Sequence, residues 1–571
     1  MKQNFFAIGF NATNAPTIIR ILIQGGLNIK EINCFPNHLL STKIEMIKLF
    51  HILFAATCIG SMFVYSHQFT DAYIMPKWFW VLFVLLWMLV CAAFLILQRK
   101  SVVADMAIWG SIIVFSCWLQ AVYGILQYIG LFSSHATFRM TGSFDNPAGF
   151  AACLCAGLPF GFFLIIHRNK YIRYAEWLAG GVMVLAIFLS HSRSGMVSII
   201  AVCVMYLCGR FIHGRWWRYL LSVSITGLLI IGSYWLKKDS ADGRLLIWQC
   251  GLEMVKDAPW TGHGTGSFEA KYMDYQADYF KEYGLQSRYA MLADNVKHPF
   301  NEYLGVLINF GIIGLALLLG IVWALVYCYK QNPTQEKKIA LYALLSIGVF
   351  SFFSYPFMYP FTWIVTFLAI LMLTVDYWRR IKVNKWGRYI MYTAAMMCFF
   401  WGLVRLGERA QSERSWREAS KLALCRSYDK ALPYYVSMKH QFRDNPYFLY
   451  NYAAVLTETK EYEKALDIAL ECRRYWADYN LELMIGENYQ HLNKMKQAKI
   501  YYKNASMMCP IRFVPLNFLY DLYEEAGEKK KALEVAKKVM EIPVKVNSLI
   551  VNQIRYKMKH VILKSEIQEI H

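Results

Sequence analysis

The chain has 571 residues, 57% of them hydrophobic and 16% aromatic against only 17% charged. Apolar runs of ~20 residues, the length that crosses a hydrocarbon core, recur along it, so a wholly soluble globular enzyme is excluded. The formal net charge of +21 is mostly accounted for by basic connections between those runs and by a basic tail, and gives no ground for nucleic-acid binding.

Residues 1–44 contain "NFFAIGF", too short and too soon interrupted for a signal-peptide core, with no small-residue cleavage site after it. They read as a cytoplasmic leader. About eleven candidate spans follow within residues 45–405, centred near Ile59, Leu86, Cys117, Leu158, Met183, Val204, Leu228, Leu318, Leu345, Phe367 and Met397. Each is long enough to satisfy its own backbone as a helix in lipid, and none shows the period-2 alternation of a barrel strand. The expected fold is all-α and polytopic.

Lys and Arg collect in alternate connections: "LQRKS", "HRNKYIRY", "GRFIHGRWWR", "QEKK" and "WRRIKVNKWGR". Short cytoplasmic loops do this, so the N-terminus is expected inside. With an odd number of spans, the large segment 237–297 and the region after about Glu408 fall outside, on the periplasmic face. Most of the fourteen cysteines lie in spans, where they act as small apolar residues. Cys250, Cys425, Cys472 and Cys509 fall outside at spacings that suggest neither a zinc site nor a disulfide framework, and are expected to be buried helix residues.

Four polar stretches fall on the outer face: "FRMTGSFDNPAGFA", "SHSRSG", "DGRLLIWQCGLEMVKDAPWTGHGTGSF" and "HPFNEYL". Asn146-Pro147 breaks the chain before a span. Gly262, Gly264 and Gly266 permit a tight loop that could aim N–H groups at an anion. No strand precedes those glycines and no Rossmann unit surrounds them, so they are not a nucleotide fingerprint. Further on, Phe268, Tyr272, Tyr275 and Tyr279 share one face of a helix. That stripe lies in the membrane interface over a cavity, packs on other loop helices, or stacks on sugar rings.

The tail carries a repeat. Ala431, Ala465, Ala498 and Ala532 sit in "YDKAL", "YEKAL", "MKQAK" and "KKKAL", at the roughly 34-residue period of tetratricopeptide repeats. Gly486, Tyr502, Ala505 and Pro510 fill the small-residue and packing positions around Ala498. Residues 412–560 therefore resemble a tetratricopeptide array, an α-solenoid suited to binding or positioning a partner.

Taken in order, the four outer motifs resemble the O-antigen ligase superfamily, which includes O-antigen polymerases and bacterial protein O-oligosaccharyltransferases. The likeness covers roughly residues 100 to 330. It implies an enzyme of the inner membrane that moves a preassembled glycan from undecaprenyl diphosphate to an acceptor hydroxyl, on lipid A core, another glycan or a protein. Arginine suits the diphosphate, because its planar fork gives two donors and stays charged. The resemblance assigns that contact to Arg193 and Arg244, with Arg139 and Arg288 as second candidates; an arginine at this depth also snorkels to headgroups. It assigns proton removal to His298, with Asn301 as orienting partner. The alternatives are a helix-capping histidine, or Glu302, His191 or His263 as the base. No Asp-rich motif calls for a metal and no cofactor is implied. From another class, a polyprenyl-glycan transporter would be expected to show internal repeats among its spans and ionisable residues at the membrane midplane, and the sequence shows neither. An envelope-assembly scaffold would tolerate loss of His298 and both arginines.

Overall fold

The computed structural model describes residues 37–98, 106–133, 135, 137–163, 170–212, 214–236 and 238–570. The leader lies almost wholly outside them. Every regular element among the described residues is a helix, and the chain is a helical membrane protein. Each of the eleven span centres falls within a helix, but among the described residues eight helices are long and apolar enough to cross a membrane. Two of the others, Pro147–Phe163 and Gln335–Ser351, have 17 residues, about 25 Å of helix against ~30 Å of hydrocarbon. The third, Arg215–Leu236, is not among the eight. The count of eleven is thus not reached on length and apolarity.

Pro147–Phe163 is the centre of the bundle: Phe150, Ala151, Cys153, Leu154 and Ala156 are fully buried. Small residues let its neighbours approach closely. A Cβ on Gly157 would meet the Cys117 sulfur at 2.3 Å. The outward faces of the longer helices carry exposed Leu82, Leu85 and Leu89, or Leu317 and Trp323, as a lipid-facing surface requires. Ionisable groups that the sequence did not single out sit within spans, Lys77, Glu176 and Asp376 among them. Lys77 is buried and donates to the Tyr73 and Ser143 carbonyls at 2.7 and 2.9 Å. The Glu176 carboxylate accepts from Ser111 at 2.6 Å.

The helix Glu302–Gln331 is broken at Gly311, whose φ of 64° and ψ of −162° only glycine adopts readily. The break exposes backbone groups, and the segment 258–264 takes them up. Ile312 and Ile313 N–H donate to the Pro259 and Trp260 carbonyls at 2.8 and 3.2 Å, while His263 and Gly264 N–H donate to Ile308 and Asn309 carbonyls at 2.8 and 3.0 Å. The glycine loop of the sequence is therefore a backbone staple on a broken helix, and its N–H groups at 263 and 264 are not free for an anion. Glycine is required on both sides: a Cβ on Gly262 would meet the Asn309 carbonyl carbon at 2.4 Å, and one on Gly311 the Trp260 oxygen at 2.3 Å.

The aromatic stripe also resolves. Phe268 and Tyr272 are buried in a cluster with Cys250, Ile308, Met508 and Cys509. Packing claims the stripe, because its helix Ser267–Tyr283 lies between the loop helix Lys238–Asp257 and the repeat helix Met495–Met508. Of the four outer cysteines, Cys250, Cys472 and Cys509 are buried as expected, while Cys425 is exposed. It ends the 40-residue helix Lys385–Leu424, which runs from the bundle into the repeats without a linker.

Beyond it, paired helices stack as a solenoid. The second helices of successive pairs begin at Tyr428, Tyr462, Met495 and Lys529, and the four repeat alanines are each fully buried. Gly486 faces the Tyr502 ring so closely that a Cβ would lie 2.4 Å from it.

Candidate active site

One end of the bundle gathers the connections that the sequence placed outside, together with the turn 352–359. Ser192 begins the helix Arg193–Phe211, its Oγ accepting from Gly195 N–H at 3.4 Å, so Arg193 stands on the first turn. Its Nη2 donates to Ser240 Oγ at 2.7 Å. Arg244 sits on the helix Lys238–Asp257. Burial, then the charge of Arg193, pushes its guanidinium down to about 10, while the only group that opposes the shift is Tyr355. It stays charged at neutral pH. Ser240, the partner of Arg193, lines the same cavity as Arg244, so two like charges are gathered at one site, an arrangement that an anionic ligand would relieve.

The 293–301 segment supplies the third group. Trp248 Nε1 donates to the Pro299 carbonyl at 3.1 Å, and Phe300 takes a left-handed φ of 52°, a strained state for an aromatic residue. Held so, the Phe300 ring lies 5.4 Å from the Arg244 guanidinium and 5.3 Å from the Tyr355 ring. His298 is half-buried, with its ring 4.7 Å from that of Tyr355. Burial, and next the charge of Lys297, holds its imidazole below the usual histidine range, so the neutral form persists to lower pH.

Asn301 is the N-cap of the helix Glu302–Gln331, its Oδ1 accepting from Tyr303 and Leu304 N–H at 3.0 and 3.1 Å. Capping therefore falls to Asn301 and leaves the imidazole free of it; no bond joins the amide to His298. Arg139 is exposed and makes no hydrogen bond, ion pair or ring contact among the described residues; the structure does not bring it to the cluster. Arg288 stacks on Tyr289 at 4.6 Å. His263 has both ring nitrogens engaged, by the Met254 carbonyl at 2.7 Å and Lys271 Nζ at 3.1 Å, and is structural.

Tyr355 and Tyr359 join the site without any motif to mark them. Tyr359 OH donates to Asp145 at 3.1 Å and accepts from Asn146 Nδ2 at 2.9 Å. Asn146 Oδ1 caps its own helix through Gly149 N–H at 2.8 Å. Burial raises the pKa of the Tyr355 hydroxyl. A clue was the density of aromatics and prolines in "SYPFMYP", which by itself reads as a turn.

Beside Arg244 a cavity of about 180 Å³ opens, lined in part by Ser240, Gly243, Gln276, Asp294 and Phe300. Among the described residues no three His, Cys, Asp or Glu side chains gather as a metal site. What the cluster offers is cationic donors, a neutral imidazole and an aromatic wall on one solvent-facing edge of a membrane bundle.

Residues 178–319 match the O-antigen ligase family. The matched span takes in Arg193, Arg244, His298 and Asn301 and leaves out Arg139, Asn146 and Tyr355. A general O-oligosaccharyltransferase of Acinetobacter baylyi is 21% identical over 433 residues, 66% of this chain and 72% of that one. A rhamnulokinase of Bacteroides thetaiotaomicron is 60% identical over 40 residues, 7% of this chain and 8% of that protein, a stretch too short to bring a kinase fold. The crystal structure of yeast Tom70 aligns with a TM-score of 0.25 at 10% identity, covering 85% of this chain and 90% of that one. The O-antigen ligase match and the oligosaccharyltransferase likeness support ligase-type glycan transfer.

Proposed function

We propose that the chain transfers a preassembled glycan from undecaprenyl diphosphate to an acceptor hydroxyl on the periplasmic face of the inner membrane. Residues 45–405 form the transferase and residues 412–560 a periplasmic repeat domain. The observation that carries this reading is that Arg193, through Ser240, and Arg244 share one cavity, with Phe300 and Tyr355 linking Arg244 to His298. The guanidinium pair binds the diphosphate and stabilises the charge that builds on it as the bond from the anomeric carbon to the phosphate oxygen breaks. The neutral imidazole takes the acceptor's proton as the new carbon–oxygen bond forms from the opposite face, and then releases it to solvent. In this scheme the arginines do the work a divalent cation does elsewhere, so transfer proceeds without a metal.

The acceptor is best read as lipid A core, which makes the enzyme an O-antigen ligase. A protein hydroxyl is the second reading, favoured by the Acinetobacter relative's name. The deciding measurement is in-vitro transfer from a purified lipid-linked glycan by parental enzyme and His298→Gln, with donor binding measured in parallel. The variant should lose roughly 10²- to 10⁴-fold in turnover while binding donor normally. Parental turnover would move the base to Glu302 or His191. Offering lipid A core and a glycosylatable peptide in the same assay separates the two acceptors.

A further inference from the structure

The repeat array closes directly on the segment that carries His298. Lys297 points its ammonium at two repeat residues, 4.2 Å from the Tyr447 ring centroid and 5.5 Å from that of Trp476. Those rings lie 5.3 Å apart. Tyr447 is tied in turn to the loop helix Ser267–Tyr283, because its hydroxyl donates to the Glu269 carboxylate. The Ala477 N–H donates to the Glu269 carbonyl at 3.0 Å. Three residues before Lys297, the Asp294 carboxylate accepts from Arg512 at 2.7 Å. Gln276, fully buried, donates to the Met508 carbonyl at 2.6 Å and to the Asp294 carbonyl at 3.3 Å. Arg473 bridges Asp274 of the loop helix to Glu482 of the next repeat.

We propose that the repeat array is a positioning clamp for the transfer site: Tyr447 and Trp476 grip Lys297, Arg512 grips Asp294, and together they fix the backbone that presents His298. This rests on His298 being the base. A helix or strand would hold such a group by its own hydrogen-bond ladder, but residues 287–301 contain no regular element. External contacts must therefore do it. A cation between two rings suits the task, since it is directional and tolerates the wet edge of a site. Lys297, Tyr447, Trp476, Asp294 and Arg512 are positioning residues; none needs to touch the glycan. The array is then part of the transferase itself, whatever else it binds.

The test uses the full chain in nanodiscs with a purified lipid-linked glycan, comparing Lys297→Ala, Lys297→Arg, Trp476→Ala and the pair Lys297→Ala with Trp476→Ala. Lys297→Ala should lower kcat roughly 10- to 100-fold, the scale of an ångström's misplacement, with the KM for donor unchanged. Lys297→Arg should restore most of it, because guanidinium also stacks on aromatics. The double variant should be no slower than the worse single, the signature of one shared contact. Parental kcat in Lys297→Ala, or losses that multiply in the double variant, would overturn the clamp. Trp476→Ala also loosens the repeat, so thermal unfolding is followed alongside, and the clamp stands or falls on Lys297→Ala, a change at an exposed position. If His298→Gln is inactive and the clamp variants are not, the clamp alone fails; if His298→Gln is active, the assignment of the base fails first.

Discussion

His298 and Tyr355 face each other with ring centroids 4.7 Å apart and planes 35° from parallel. Tyr355 comes from the turn between two helices that have no part in the loop carrying His298. An aromatic neighbour of this kind contributes about 0.5–1.5 kcal/mol beyond burial and limits how the imidazole can tilt. Tyr355→Phe keeps the ring and should keep most of the turnover, whereas Tyr355→Ala should lose roughly two- to tenfold in kcat with donor affinity unchanged. Equal activity in both variants would remove Tyr355 from the site.

The pH dependence follows from the direction of the His298 shift. Only the neutral imidazole accepts a proton, and burial with the Lys297 charge lowers its pKa. The active form therefore persists below the ordinary value of ~6.5, and activity is lost as pH falls through the lowered value. The acid limb of kcat/KM against pH should lie below the usual histidine range. A limb at or above it would mean that another group titrates.

Arg193→Lys and Arg244→Lys keep the charge and remove the fork. Losing one charge-assisted hydrogen bond costs about 1.5–3 kcal/mol, so donor affinity should weaken roughly 10- to 100-fold, with turnover falling too. Isothermal titration with the lipid-linked donor reads this directly. Arg139→Lys should leave donor affinity at the parental value.

Gly311→Ala places a Cβ 2.3 Å from the Trp260 oxygen in a backbone state that alanine resists. Backbone strain alone costs about 1–3 kcal/mol, and the overlap adds to it. Gly320→Ala, nine residues on in a regular part of the same helix, would meet no atom within 4 Å. Fluorescence-detected gel filtration after a heat step should show Gly311→Ala melting well below parental protein and below Gly320→Ala.

Orientation is tested by cysteines introduced at Asp278, Glu528 and Lys382. A membrane-impermeant thiol reagent applied to intact cells with a permeabilised outer membrane should label the first two and spare the third. The reverse pattern would put the arginine pair on the cytoplasmic side and defeat the proposed donor.

Helix content and the repeat register were legible from the sequence, because both are set by near-neighbour rules. A lipid-embedded backbone must satisfy itself within each segment, and an alanine every 33 or 34 residues marks where paired helices touch. Arg193, Arg244 and His298 could be picked out because a family resemblance attached chemistry to short motifs. What only the tertiary structure decided were the contacts made across long separations in the chain. Asn301 is spent on a cap, His263 on a carbonyl and a lysine, and the glycine loop on the break at Gly311, because buried backbone and side-chain groups must pair with whatever folding brings near. Tyr355, 57 positions beyond His298, and Trp476, 179 beyond Lys297, carry no local signal of their place. Their roles arise from packing, which joins surfaces by shape and charge and writes no spacing into the sequence.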